Sequence, residues 1–253
     1  MKTTTRADAL LLLFSFLAAA ASSSGEEAAE RRRCHPDDQA ALLAIKAALN
    51  NPRTLEHWTP GSSCCDWYEV DCHVLSGRVV GLSIHGDDTA AGAIPGAVAD
   101  LAGLTSLTIA YAAGVSGPVP PFLARLTRLR ELDLSHNNLS GGIPPEWAAL
   151  RLRRVDLSEN AIAGDAARRG EAIDLPPRLN FLDLSHNAIY GGIPAAQVAN
   201  LSHDREVLFF DVSDNQLCGE VPESLAGFDV AMFQHNKCLC GAPLLPCLGR
   251  STH

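Results

Sequence analysis

Four aspartates recur in one short frame: Asp133 in LDLSHN, Asp156 in VDLSEN, Asp183 in LDLSHN and Asp211 in FDVSDN. Each is followed two residues on by a serine (Ser135, Ser158, Ser185, Ser213) and then by His136, Glu159, His186 or Asp214. Three chemistries suit these residue types. Paired carboxylates can hydrolyse a glycoside, a serine beside a base can act as a nucleophile, and a row of carboxylates attracts a basic surface. Spacing weighs against the first two. Ser135 with His136, and Ser185 with His186, are adjacent on a turn, so their side chains diverge, and the chain has no Gly-x-Ser-x-Gly elbow or His-Glu-x-x-His helix. The carboxylates lie on an open surface where nothing is expected to desolvate an acid, so raised pKa values are not expected. No catalytic residue, cofactor or metal is implied, and the pattern reads as a binding face.

The elements that would position these residues follow from the same frame. Leucines alternate with polar residues (Leu132 and Leu134, Leu182 and Leu184), so a short strand turns its leucines inward and Glu131, Asp133 and Ser135 outward. Asn137, Asn160, Asn187 and Asn215 fall where the chain leaves the strand, and their amides can satisfy backbone groups that the turn would bury. Asp87 and Ala112 take that place in two earlier copies. A glycine and then a proline follow in five copies, as in GGIP from Gly141 to Pro144, and set the bend and the direction of the return.

Six copies begin at Leu82, Leu107, Leu132, Val155, Leu182 and Phe210, spaced 25, 25, 23, 27 and 28 residues apart. That period, in phase with LxLxxN, marks leucine-rich repeats. The expected fold is an α/β solenoid, a right-handed superhelix with a parallel concave sheet and an irregular or 3-10 convex side. Asp133, Asp156, Asp183 and Asp211 then form a column on neighbouring strands about 4.8 Å apart, at a cost that serine or arginine neighbours can offset. The fourth copy lacks Ile-Pro after Gly164, where DAARRGEAIDLPPRL reads as two half-patterns joined by the loss of a repeat.

Eight cysteines fall in two groups, Cys34, Cys64, Cys65, Cys72 and Cys218, Cys238, Cys240, Cys247. The ends of a solenoid lie far apart, so pairing is local. Excluding the strained pairs Cys64 with Cys65 and Cys238 with Cys240 leaves four connectivities, of which the sequential one is preferred: Cys34–Cys64, Cys65–Cys72, Cys218–Cys238 and Cys240–Cys247. A helix with Leu42, Ile45 and Leu49 on one face, capped by Asp37 or Asp38, joins Trp58 and Trp67 in covering the first repeat. A zinc site, suggested by His73 after Cys72, is the weaker reading in an oxidising compartment.

Residues 1–24 read as a secretory signal peptide: Lys2 and Arg6, an apolar run from Ala9 to Ala21, then small residues. Its removal takes the net charge from −9 to −10, which argues against a nucleic-acid or anionic-membrane partner. Residues 25–78 are expected to form an N-terminal cap, 79–217 the repeats and 218–253 a C-terminal cap, with no membrane span. Asn138 and Asn200 head glycosylation sequons.

LLAIK, CCDWYEVDC, the repeated GxIP and the ending FDVSDNQLCGEVP…HNKCLCGAPLLPC resemble the plant polygalacturonase-inhibiting proteins, over nearly all of Cys34 to Cys247. The resemblance implies a cell-wall protein that binds fungal endopolygalacturonase across its concave face, in a form shortened from about ten repeats to six. For the basic run Arg125, Arg128, Arg130, Arg151, Arg153 and Arg154 the resemblance offers pectin as a ligand, although a solvated basic edge is the preferred reading. The concave-face residues are then Glu131, Asp133, Ser135, His136, Asp156, Ser158, Glu159, Asp183, Ser185, His186, Asp211, Ser213 and Asp214. The alternative is an apoplastic recognition module for a peptide or receptor ectodomain.

Overall fold

Alternation of apolar and polar residues every second position demands a sheet with one buried face, and the computed structural model contains it. It describes residues 33–164, 176, 178–195, 198 and 209–247. Residues 1–24, expected to be a leader, residues 165–175, where a repeat is read as lost, and Asn200 lie outside these.

A helix α1 (Pro36–Ala48) precedes a strand β1 (Val70–Cys72), which pairs antiparallel with β2 (Val79–His85). β4 (Ser106–Ala110), β6 (Glu131–Asp133), β8 (Arg154–Asp156), β10 (Phe181–Asp183) and β12 (Phe209–Asp211) then add in parallel. The register aligns Leu82, Leu107, Leu132, Val155, Leu182 and Phe210 as one inward column, and all six are buried. β8 pairs directly with β10, so the rungs are continuous across the irregular fourth copy.

Each turn feeds a second, shorter strand on the flank. β3 (Ala91–Gly92), β5 (Gly114–Pro118), β7 (Asn138–Gly141) and β9 (Ala161–Ile162) form one flanking sheet, and β11 (Tyr190–Gly191), β13 (Gln216–Glu220) and β14 (Cys238–Cys240) another. Gly141 enters it at φ +74°, a left-handed angle costly for a residue with a Cβ. Prolines then start the 3-10 turns Pro121–Arg125 and Pro145–Ala149 of the convex side.

The asparagine ladder ties rung to rung. Asn187 donates to the Leu157 carbonyl of the preceding rung at 2.9 Å and accepts from the Ile162 amide at 2.9 Å. Asn215 does the same toward Leu184 and Ile189, at 2.8 and 2.9 Å. The ladder of Asn137, Asn160, Asn187 and Asn215 continues one step past the six copies read from the sequence. Asn236, in FQHN, donates to Val212 at 2.9 Å and accepts from the Leu217 amide at 2.9 Å. The C-terminal cap therefore begins as a seventh copy of the frame.

The four disulfides are Cys34–Cys64, Cys65–Cys72, Cys218–Cys238 and Cys240–Cys247. The Cys34, Cys64 and Cys65 sulfurs lie close together, but all three are oxidised in these bonds and offer no thiolate to a metal. Trp58 stacks on Trp67 at 5.2 Å. The helix cap differs from expectation. His35, ahead of Pro36, accepts from the Asp37 amide, whereas Asp38 is fully buried and reaches the first repeat. Its carboxylate accepts from the Val79 amide at 2.7 Å and lies 2.8 Å from the Arg78 guanidinium. Joining cap to sheet is a better use of that carboxylate than capping, because a free buried amide at Val79 would be costly. Among the described residues no helix is long and apolar enough to cross a membrane.

Candidate partner-binding face

The strand register sets two outward columns. The first runs Gly81, Ser106, Glu131, Arg154, Phe181, Phe209, and the second Ser83, Thr108, Asp133, Asp156, Asp183, Asp211. The four aspartates predicted to align do so on consecutive rungs.

The serines lie beneath this face. Ser135, Ser158, Ser185 and Ser213 are 3, 8, 7 and 8% exposed. The hydroxyls of Ser135, Ser158 and Ser185 donate to Asp133, Asp156 and Asp183 at 2.7, 2.7 and 2.6 Å, with their amides adding bonds of 3.0–3.2 Å. The Ser213 amide donates to Asp211 at 2.8 Å. Each carboxylate is thereby fixed by its own chain two residues on, where the strand ends and the backbone turns. The serines position the aspartates through one oxygen each, and in Asp156 the other oxygen is taken by Arg154.

Arg154 offsets part of the charge. Its guanidinium lies 3.0 Å from Asp156 and 3.5 Å from the centre of the Phe181 ring, which stacks on Phe209 at 4.5 Å. Asp156 is only 8% exposed, and this corrects the expectation of an open, fully solvated column. Burial pushes its carboxyl above the usual range, against the Ser158 hydrogen bond, with Asp133 and Asp183 adding to the rise. Burial likewise raises Asp183, opposed by Ser185. Strand alternation places Arg154, Phe181 and Phe209 outward beside the carboxylates, but it does not show the contacts between rungs that take water from Asp156.

His136, Glu159, His186 and Asp214 occupy one left-handed position per rung together with Tyr111 and His235, at φ of 52–57°. They make a rim along the face. Tyr111 stacks on His136 at 4.0 Å. His186 lies 3.9 Å from Glu159 and 3.6 Å from Asp214, which in turn lies 3.0 Å from His235. The imidazoles thus turn along the rim toward neighbouring rungs while Ser135 and Ser185 turn to their aspartates. Glu131 is exposed and approaches the Ser106 hydroxyl at 3.4 Å.

One constellation escaped the sequence reading. Ser83, His85 and Glu69 meet at the first rung, with Ser83 Oγ 3.2 Å and Glu69 3.5 Å from the same His85 Nδ1. A relay needs the serine and the carboxylate on opposite ring nitrogens, so this grouping is no nucleophilic triad. The arginines are divided: Arg154 belongs to the concave face, Arg125 pairs with Asp100 at 3.5 Å, and Arg128, Arg151 and Arg153 are exposed. Asn138 is exposed on β7, off the concave face.

A solenoid with this ladder and these caps has counterparts among known proteins. The family described as Leucine rich repeat N-terminal domain matches residues 35–73, and Leucine Rich Repeat matches residues 128–150. Polygalacturonase inhibitor 1 of Oryza sativa subsp. japonica is 42% identical over 107 residues, 42% of this chain and 32% of that protein. The chain folds as a leucine-rich-repeat solenoid and is homologous to the polygalacturonase inhibitors over about 42% of its length. The matched stretch spans about a third of the curated relatives. The DNA damage-repair/toleration protein DRT100 of Arabidopsis thaliana is 37% identical over 121 residues, 42% of this chain and 32% of that protein. Among solved structures, Pollen Receptor Kinase 3 has a TM-score of 0.65 at 26% identity, covering 81% of this chain and 97% of that one.

Proposed function

We propose that this is a secreted cell-wall protein that binds and inhibits a fungal endopolygalacturonase in plant defence, docking it on the concave face. The observation that carries the reading is the 42% identity to the rice polygalacturonase inhibitor. The aspartate column supports it, because carboxylates held outward by buried serines form a preorganised acidic strip for a basic protein surface. Residues 1–24 act as the leader, 25–78 and 218–253 as caps and 79–217 as the repeat array. A glycan on the exposed Asn138 would stand clear of the docking strands, Asn200 would be a second glycosylation site, and the exposed arginines would hold pectin. The test is reducing-sugar release by a panel of fungal endopolygalacturonases with micromolar purified protein added. Slowed release supports the reading; a panel left unslowed and unbound overturns it. Reducing sugar released without added enzyme would instead make the protein itself a hydrolase.

A second reading, recognition of a peptide or a receptor without inhibition, is favoured by the likeness to Pollen Receptor Kinase 3 over 97% of that chain. It gains if the panel is unaffected while a plant receptor or secreted peptide is retained by the immobilised protein.

A further inference from the structure

The concave face is not uniform from end to end. Its first rungs are small and polar, Ser83, Ser106 and Thr108. Its last rungs carry an apolar column, Phe181 and Phe209, beside the carboxylates Asp183 and Asp211. In the seventh copy of the frame the position matching Phe209 is Val230, which is 39% exposed and starts a 3-10 turn beyond the last strand. Asp183 and Asp211 each give one oxygen to a serine, and the other has no hydrogen-bond partner among the described residues.

Arg154 shows what such a pair of columns can hold. One planar guanidinium lies against a ring face at 3.5 Å and against a carboxylate at 3.0 Å. Guanidinium suits both contacts at once, since it is flat, weakly hydrated and bidentate, whereas an ammonium is a compact, strongly hydrated charge. Arg154 thereby satisfies Asp156 from within the chain. Arg154 also acts on Asp183 through its charge, but among the described residues no guanidinium makes a hydrogen bond or ion pair with Asp183 or Asp211.

We propose that the C-terminal half of the concave face docks an extended protein segment bearing an apolar side chain and an arginine two residues apart. The spacing comes from the strands themselves. Phe209 and Asp211 are alternate residues of β12, about 6.6 Å apart along it, and an extended partner strand presents alternate side chains on one face at the same interval. Phe181 is already covered by Arg154 on one face and by Phe209 on the other. The apolar side chain therefore lies along the outer edges of the Phe181–Phe209 stack, and the arginine meets the outer oxygens of Asp183 and Asp211. This deepens the docking reading above and rests on the concave face being the contact surface.

The test uses the full chain and two capped tripeptides, acetyl-Phe-Ser-Arg-amide and acetyl-Phe-Ser-Glu-amide, followed by NMR of the Phe181 and Phe209 ring resonances. The arginine peptide is expected to shift both rings saturably at millimolar concentration, and the glutamate peptide to shift them at least about fivefold more weakly, the ratio expected for one ion pair of about 1 kcal/mol. Asp211→Asn, which leaves the rings in place, is expected to remove the preference for arginine, and Phe209→Ser to weaken both peptides. Equal binding of the two peptides, no shift at either ring, or an unchanged preference in Asp211→Asn overturns the proposal. Because no polygalacturonase enters this assay, arginine selectivity without inhibition would sink the inhibitor reading alone. Inhibition without arginine selectivity would sink this proposal alone.

Discussion

Asp87 receives both the backbone amide and the hydroxyl of Thr54, at 2.9 and 2.8 Å, across 33 residues of sequence. It also accepts from the Thr89 amide at 2.7 Å and from the Thr89 hydroxyl. Asp87 stands where later repeats place an asparagine, so the first rung uses a carboxylate to hold the N-terminal cap rather than an amide to hold a preceding rung. Burial opposes its ionisation, yet the hydrogen bonds from Thr89 and Thr54 outweigh burial and hold the carboxyl well below the usual range.

Asp87→Asn is therefore expected to destabilise the cap end by about 1–3 kcal/mol in urea unfolding, the cost of leaving buried donors poorly matched. The sign with pH follows from the depressed folded value. The contribution of Asp87 is present above the unfolded carboxylate pKa of about 4 and is lost as pH falls below it. The variant should lack that part of the acid loss, and an identical slope in wild type and variant would remove Asp87 from this role.

Asn215 is 7% exposed and joins Leu184, Val212, Ser213 and Ile189 through one amide. Replacing it by alanine strands an amide and carbonyls between two rungs, at a cost of roughly 2–4 kcal/mol. Asn236→Ala is expected to act in the same way, because Asn236 makes the same contacts in the cap. A loss under about 0.5 kcal/mol, the range of an ordinary surface change, would mean that the seventh copy does not serve as a rung.

The fold was legible because its frame is local and repeated. Leu132, Asn137, Gly141 and Pro144 each state a backbone need that recurs in most copies, and the cysteines paired within their own groups because the two ends of a solenoid cannot meet. The seventh copy was obscured because Met232 and Phe233 replace the Asp-Leu pair, although Asn236 follows Asn215 at a repeat-like interval of 21 residues. The site was less legible. Alternation shows which side chains face outward but not how neighbouring rungs shield them, so the burial of Asp156 depends on contacts between strands 27 residues apart, as in Arg154 on Phe181. The helix cap went astray for a related reason: Asp38 has the residue type of a cap, but a long-range amide at Val79 competes for it.

Asp156 gives a pH dependence of the opposite sign to Asp87. Its folded carboxyl is raised by burial, so the folded chain holds that proton more tightly than the unfolded chain. The associated stability is present below the unfolded value, about pH 4, and is lost as pH rises through the raised folded value. Asp156→Asn should flatten this fall when unfolding free energy is measured from about pH 4 to 7. A slope as steep in the variant as in the wild type would show that another group titrates there.

The aspartate column bears most directly on partner binding. Asp133, Asp156 and Asp183 sit on consecutive rungs with serines locking each in place, so replacing all three by asparagine preserves shape while removing three negative charges. A basic partner steered by this strip should then bind at least about tenfold more weakly, on the scale of 0.5 kcal/mol or more per charge pair. Its affinity should also depend less on salt, because screening acts on charges that the variant no longer has. Both quantities come from one titration series against a bound endopolygalacturonase at low and high ionic strength. Asp156 is partly neutralised by Arg154, so Asp133→Asn and Asp183→Asn alone should account for most of the effect. An affinity and salt slope unchanged in the triple variant would place the docking surface elsewhere on the solenoid, with the rim from Tyr111 to His235 the next face to mutate.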